Sequence, residues 1–213
     1  MAKHLVLVAG NIGAGKTSLT EIIGEQLGWG TTYESVADNP YLPDFYEDMK
    51  QWGFHLQIYF LGHRAMQHQQ AAELNKSVIL DRSIYEDFHI FSRALKEQGD
   101  FAERDFAAYE TVFKQLVQGL PQPDLLIYLS CPVEALLERI RQRGRDMESS
   151  ISPDYLRLLE SYYIDWIDNF DACPVLKIPA GNLDFVHRPD HMELVINKIQ
   201  EKLAGKEEVI FPE

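Results

Sequence analysis

The stretch Gly10-Asn11-Ile12-Gly13-Ala14-Gly15-Lys16-Thr17 constrains this chain more than any other. It satisfies the pattern G-x-x-x-x-G-K-[ST] with one extra glycine. It joins an apolar run, Leu5 to Ala9, to a segment that is apolar at Leu19, Ile22, Ile23 and Leu27. The run predicts a strand buried on both faces, and the 3,4 spacing predicts an amphipathic helix over Lys16 to Leu27. Glycines between a strand and a helix let successive N–H groups curl around a phosphate chain, and the positive end of the helix faces the same anion. Lys16 can reach the β- and γ-phosphates, and the Thr17 hydroxyl can ligand Mg²⁺. Gly10, Asn11, Ile12, Gly13, Ala14, Gly15, Lys16, Thr17 and Ser18 are therefore candidate nucleotide-binding residues. No N-K-x-D guanine motif occurs, so ATP is the favoured triphosphate.

The rest of the chain fits a parallel α/β sheet. Further short apolar runs occur at Val78 to Leu80, Leu125 to Leu129 and Pro174 to Ile178, with a short strand expected at Thr31 to Glu34. Helical segments fill the gaps. Asp44 to Leu74 reads as two helices or one bent helix joined at Gly53; Ile84 to Lys96, Phe101 to Gln118, Pro132 to Arg143, Pro153 to Asn169 and Pro189 to Leu203 complete the set. Pro132, Pro153 and Pro189 each suit a first helical turn, and a frayed tail is expected from about Gly205. With 213 residues and no linker or repeat, a single domain over residues 1–213 is expected.

Charge and cysteine usage exclude several classes. Lys plus Arg is 20 against 33 Asp plus Glu, a net charge of −13, so there is no basic footprint for nucleic acid. Cys131 and Cys173 form no metal-ligand pattern and read as reduced thiols. No apolar run approaches the roughly 20 residues that span a bilayer, and MAKHLVLVAG lacks the features of a signal peptide. The expected location is cytoplasmic.

Acceptor chemistry is suggested by three further stretches. Glu34 lies near the end of the second expected strand, and Asp81 and Arg82 end the third. Strand carboxyl ends line the ligand crevice of a parallel sheet, so all three face the phosphate loop. Arg139, Arg141, Arg143 and Arg145 crowd into seven residues. If Arg139 and Arg143 end a helix they stack at i, i+4, and Gly144 starts a loop carrying Arg145. Such cations can close over a transferring phosphoryl group.

With these motifs in hand, the sequence resembles the deoxynucleoside kinases, especially the deoxyadenosine/deoxyguanosine branch of bacterial type. The resemblance rests on Gly10–Thr17, YESVADNP, FHLQ, DRSIYED and RIRQRGRDME, and runs to about residue 170. It implies a P-loop kinase fold, with a central parallel sheet flanked by helices and an arginine-rich lid at about 143–152. It implies transfer of the ATP γ-phosphate to the 5′-OH of a deoxynucleoside in nucleotide salvage, with ATP and Mg²⁺ as cofactors. Glu34 takes the position of the general base, Arg82 that of the arginine pairing with it, and Asp81 that of the acid beside the metal, where many relatives have Glu. Tyr46 and Glu148 match the positions that hold the sugar 3′-OH. Gln57, Arg64 and Asp87 match the base-edge readers, Phe91 an aromatic wall beside the base, and Arg139, Arg143 and Arg145 the lid arginines. A homodimer is implied, with a small-molecule deoxynucleoside as substrate and neither nucleic acid nor membrane as partner.

The residue chemistry is consistent with these assignments. Gln57 and Arg64 are seven apart and share a helix face; Ser83, Asp87 and Phe91 are four apart and do likewise. A glutamine amide offers a donor and an acceptor side by side, matching adenine. Deoxyadenosine is favoured, with deoxyguanosine and deoxycytidine as alternatives. Trp52, Trp166 and the pair Tyr162-Tyr163 read as packing residues. Two other functions use the same phosphate loop: a nucleoside monophosphate kinase of the thymidylate-kinase type, and a non-catalytic ATP-binding switch. Glu34 and Glu148 would repel an acceptor phosphate, which favours the nucleoside.

Overall fold

The computed structural model describes residues 3–33, 39–145, 148, 151–205 and 211. Five parallel strands form the sheet: β1 (Leu5–Gly10), β2 (Gly30–Thr32), β3 (Val78–Asp81), β4 (Leu125–Ser130) and β5 (Val175–Pro179), in the spatial order β2-β3-β1-β4-β5. The continuous apolar runs occupy the middle of this sheet because both of its faces are covered. In β1 successive side chains alternate: Val6 and Val8 pack with Leu19, Leu136 and Val195 on one face, and Leu5, Leu7 and Ala9 pack with Leu61, Tyr109 and Tyr163 on the other.

Helices α1 (Lys16–Leu27), α7 (Val133–Arg143) and α9 (Pro189–Leu203) supply the first face. The second is covered by α3 (Met49–Glu73), α6 (Glu103–Gly119) and α8 (Pro153–Asp168), with a rich aromatic layer. The short α2 (Leu42–Glu47) precedes α3. The break between them is at Asp48 and not at Gly53 as expected from sequence. Asp48 leaves the helical region (φ −146°, ψ 88°), and its carboxylate accepts from the Gln51 amide at 2.9 Å. A capped new start decides the boundary, whereas Gly53 is buried inside a continuous helix. Pro153 and Pro189 open their helices, but Pro132 sits one residue before α7 as its N-cap.

After β3 the chain forms α4 (Ile84–Glu86), a π-helical stretch over Asp87–Ser92, and α5 (Arg93–Gln98). Such wide turns recur at functional sites because they re-aim side chains. No described helix is long and apolar enough to cross a membrane. Most of the expected frayed tail beyond Gly205, and residues 146, 147, 149 and 150 of the expected lid, lie outside the described residues.

Candidate active site

The carboxyl ends of β1 and β3 open onto one cleft of about 890 Å³. Its two ends are built differently. At one end the phosphate loop leaves β1 at Gly10 (φ 151°), where a Cβ would stand 2.8 Å from the Leu129 carbonyl oxygen. Gly13 (φ 84°) lies equally close to α7: a Cβ there would sit 2.9 Å from the Leu136 oxygen. Only glycine combines the left-handed backbone with these approaches. The loop is thereby docked on the helix that carries the arginines. Lys16 is buried, and its ammonium donates to the carbonyls of Gly10 (2.6 Å) and Asn11 (2.9 Å). The Asn11 side chain turns away from the cleft, donating to the Leu156 carbonyl (3.0 Å) and Glu160 (3.1 Å) on α8. Ile12, Gly13, Gly15, Lys16, Thr17 and Ser18 line the cleft; Ala14 is buried behind them.

Beneath the loop, Thr17 Oγ1 donates to Asp81 Oδ2 at 2.5 Å. Asp81 is 5% exposed, and its Oδ1 is buried without a hydrogen-bond partner among the described residues. A hydroxyl beside an incompletely satisfied carboxylate is a donor set that fits a hard divalent cation such as Mg²⁺, which takes one or two carboxylates together with phosphate oxygens. Arg82 follows in the left-handed region (φ 71°), costing about 1 kcal/mol for a residue with a Cβ. Its amide donates to the Val8 carbonyl (3.0 Å), and its guanidinium lies 4.8 Å from the Phe91 ring centre. Strain of this kind clusters where a side chain must be aimed.

The other end of the cleft is assembled from separate elements. Tyr46 comes from α2, Gln57 from α3, Asp87 and Phe91 from the π-helical stretch, and all four line the wall. Gln57 is 4% exposed, yet its carbonyl oxygen has no hydrogen-bond partner among the described residues. Arg64 stands outside the lining residues: its Nε is 3.4 Å from Asp87 Oδ2, and its Nη1 donates to the Asp81 carbonyl at 3.4 Å. Ser83 is buried and also outside the lining set, so the expected shared face reduces to Asp87 and Phe91. The four-residue spacing assumed an α-helix, whereas the chain widens into π-helical turns from Asp87.

Arg139, Arg143 and Arg145 all reach the cleft, with different partners. Arg139 donates to the carbonyls of Ala180 (2.8 Å) and Ala14 (3.3 Å), bracing the phosphate loop against the segment after β5. Gly144 ends α7 as expected, and its backbone is left-handed (φ 64°). Arg143 then donates twice to Glu148 Oε2 (2.5 and 3.1 Å), and Arg145 once to Oε1 (3.3 Å). Glu34, the expected base, lies outside the described residues.

This cleft, with a phosphate loop at one end and an unmet amide acceptor at the other, frames the comparison with known proteins. The family profile described as deoxynucleoside kinase matches residues 6–204. The chain belongs to the deoxynucleoside kinase family. It is 39% identical over 197 residues to a deoxyadenosine/deoxycytidine kinase of Bacillus subtilis, covering 92% of this chain and 91% of the relative. It is 38% identical over 210 residues to a deoxyadenosine kinase of Lactobacillus acidophilus, covering 94% and 96%. Among solved structures it is similar to the deoxyadenosine kinase of M. mycoides with dCMP and dCDP bound, at 31% identity and a TM-score of 0.81, covering 92% of this chain and 99% of that one. The monophosphate-kinase and switch alternatives are set aside; this is a nucleoside kinase.

Sequence reasoning missed several residues of the kinase cleft. The loop after β5 brings Asp184, Phe185, Val186 and His187 to the phosphate end, and a Cβ on Gly15 would meet the Phe185 ring at 3.3 Å. No local pattern marks that loop; it arrives through the β4–β5 pairing. Tyr155 on α8 also lines the cleft, and burial pushes its phenol well up, so it stays protonated. Tyr163, expected to be packing alone, donates to Glu86 Oε1 at 2.6 Å and stands 2.9 Å from the Gly10 carbonyl. Glu86 is fully buried, and burial raises its carboxyl above the usual range against the opposing pull of Arg82, Lys16 and Arg64. Its one sequence signal was an acid beside Asp87 in an otherwise apolar helix start.

Proposed function

We propose that this kinase transfers the γ-phosphate of ATP to the 5′-OH of a deoxynucleoside, with deoxyadenosine preferred and deoxycytidine second. The observation that carries the acceptor side is Gln57, whose buried, unpaired carbonyl oxygen lines the same cleft as the phosphate loop. An amide pairs in bidentate fashion with the N6 donor and a ring-nitrogen acceptor of adenine. The ion pair of Arg64 with Asp87 fixes the second polar edge of that pocket, and Phe91 supplies a flat wall. The names of the two relatives, a deoxyadenosine/deoxycytidine kinase and a deoxyadenosine kinase, support deoxyadenosine as the acceptor.

At the donor end, the backbone amides of residues 10–17 and the Lys16 ammonium hold the triphosphate. Thr17 and Asp81 would hold Mg²⁺, which when bound neutralises charge on the phosphate oxygens. Phe185 and Val186 give this end an apolar wall suited to the donor's base. Phosphoryl transfer needs mainly positioning and charge stabilisation, so Arg82, Arg139, Arg143 and Arg145 are assigned to the developing charge. Residues 143–152 act as a lid. Arg143 and Arg145 pair with Glu148; in phosphoryl transfer they are assigned to the phosphates, and Glu148 to accepting from the sugar 3′-OH. Glu34 is assigned as the base that takes the 5′-OH proton, on its place in the family motif. The functional form is assigned as a cytoplasmic homodimer of one-domain chains.

ADP release from Mg·ATP tests this, measured with no acceptor, each of the four deoxynucleosides, dAMP and dTMP. Turnover confined to deoxynucleosides, fastest with deoxyadenosine, is expected. Turnover with a monophosphate alone would overturn the acceptor assignment. Glu34→Ala should abolish transfer and leave ATP binding intact; normal turnover would remove Glu34 from the base role.

A further inference from the structure

We infer that Glu86 is a positioning residue for phosphoryl transfer: its buried carboxylate aligns Arg82 and ties the phosphate loop to the helix that follows the lid. This rests on the role assigned to Arg82 above. Glu86 is 0% exposed, on the short helix that follows Arg82. One of its oxygens accepts from the Gly10 amide (3.3 Å) and from the Tyr163 hydroxyl (2.6 Å). The same oxygen lies 3.6 Å from Arg82 Nη1. Three parts of the machinery thus meet on one atom: the start of the phosphate loop, the strained arginine and α8.

The second oxygen, Oε2, is buried with no hydrogen-bond partner among the described residues. As a stabiliser of the core this is a poor arrangement, because a buried carboxylate short of hydrogen bonds carries an uncompensated desolvation cost. The charge has a use only toward the cations around it. Arg82 is one of these cations: its backbone is left-handed and its guanidinium lies over the Phe91 ring, with the Glu86 carboxylate on the same arginine at 3.6 Å. An anion behind Arg82, itself fixed by Gly10 and Tyr163, selects the direction that faces the reacting phosphate.

Glu86→Gln preserves the size and the acceptor oxygen and removes the charge. The test is a kinetic double-mutant cycle with Arg82→Lys, measuring kcat and both KM values. Glu86→Gln alone should lower kcat about tenfold or more and leave the KM for ATP and nucleoside within about threefold. In the Arg82→Lys background the same change should alter kcat by no more than about twofold, because the lysine ammonium leaves no planar guanidinium for Glu86 to orient. Equal losses in both backgrounds, or a single variant with unchanged kcat, would overturn the inference. An unchanged kcat in Arg82→Lys alone would overturn the assigned role of Arg82 and the inference with it. If Glu86→Gln does not fold, Tyr163→Phe takes its place in the cycle. A loss of about threefold confined to the Arg82 background supports the inference, and equal loss in both backgrounds overturns it.

Discussion

The two ends of the cleft are made in opposite ways. The phosphate end is nearly one continuous stretch, residues 10–18, and its recognition groups are largely backbone amides shaped by glycine. The acceptor end takes side chains from α2, α3, the π-helical stretch, α8 and residue 148, which are far apart in the chain. A phosphate is the same in every triphosphate, so a short rigid loop can recognise it. A base is recognised by a particular donor–acceptor edge, so its pocket must bring several helices into register. The donor end is therefore expected to fail abruptly, and the acceptor end by degrees.

The largest effect should come from the donor end. Lys16→Ala is expected to lower kcat/KM on the order of a thousandfold or more, with deoxynucleoside binding retained in calorimetry. Loss of nucleoside binding as well would mean that the two ends are one cooperative unit. Next comes the aromatic layer under the acceptor wall. His89 stacks on Trp166 (centroids 5.8 Å apart, planes at 12°), and burial, aided by Arg93 and opposed by Asp165, lowers its pKa to about 4. The unfolded chain binds that proton near pH 6.5, so the contribution of His89 to stability is complete above that value. It is lost as pH falls toward 4, on the order of 2 kcal/mol after allowance for partial exposure. His89→Gln should flatten the fall in urea-unfolding stability across this window, and an unchanged slope would remove His89 as the cause.

A smaller effect separates the two ends kinetically. Gln57→Ala should raise the deoxyadenosine KM about tenfold with the ATP KM within about twofold; equal changes in both would contradict base reading. The smallest concerns the helix beneath the acceptor pocket. A Cβ on Gly53 would meet only ordinary contacts, the nearest at 3.5 Å. Gly53→Ala should therefore raise stability by about 0.5–1 kcal/mol. Destabilisation in thermal melts would show that the backbone there needs glycine after all.

What was legible in the sequence follows from the range of the forces involved. The strand runs, the span of α1, the phosphate loop and the end of α7 at Gly144 depend on residues within a few positions, and local pattern shows them. Asp81, Arg82, Tyr46, Gln57, Asp87, Phe91 and Glu148 came from motif order and line one cleft, whereas Arg64, from the same motifs, sits outside its lining and pairs with Asp87. The break at Asp48 was misplaced because a cap competes with a glycine, and only the folded α2–α3 packing decides between them. The π-helical turns, the pairing of Arg143 and Arg145 with Glu148, and the Glu86–Tyr163 hydrogen bond were invisible for other reasons. The Glu86–Tyr163 bond joins atoms that the chain brings together only by closing the sheet, and the others are set by local geometry that hydrophobic periodicity does not register. The sequence by itself determined the layers of the fold and the phosphate-binding loop, because these follow from local pattern and glycine stereochemistry. Tertiary structure alone decided which buried polar groups are left unmet at Gln57, Asp81 and Glu86, because satisfaction of a polar atom is a property of its surroundings in space.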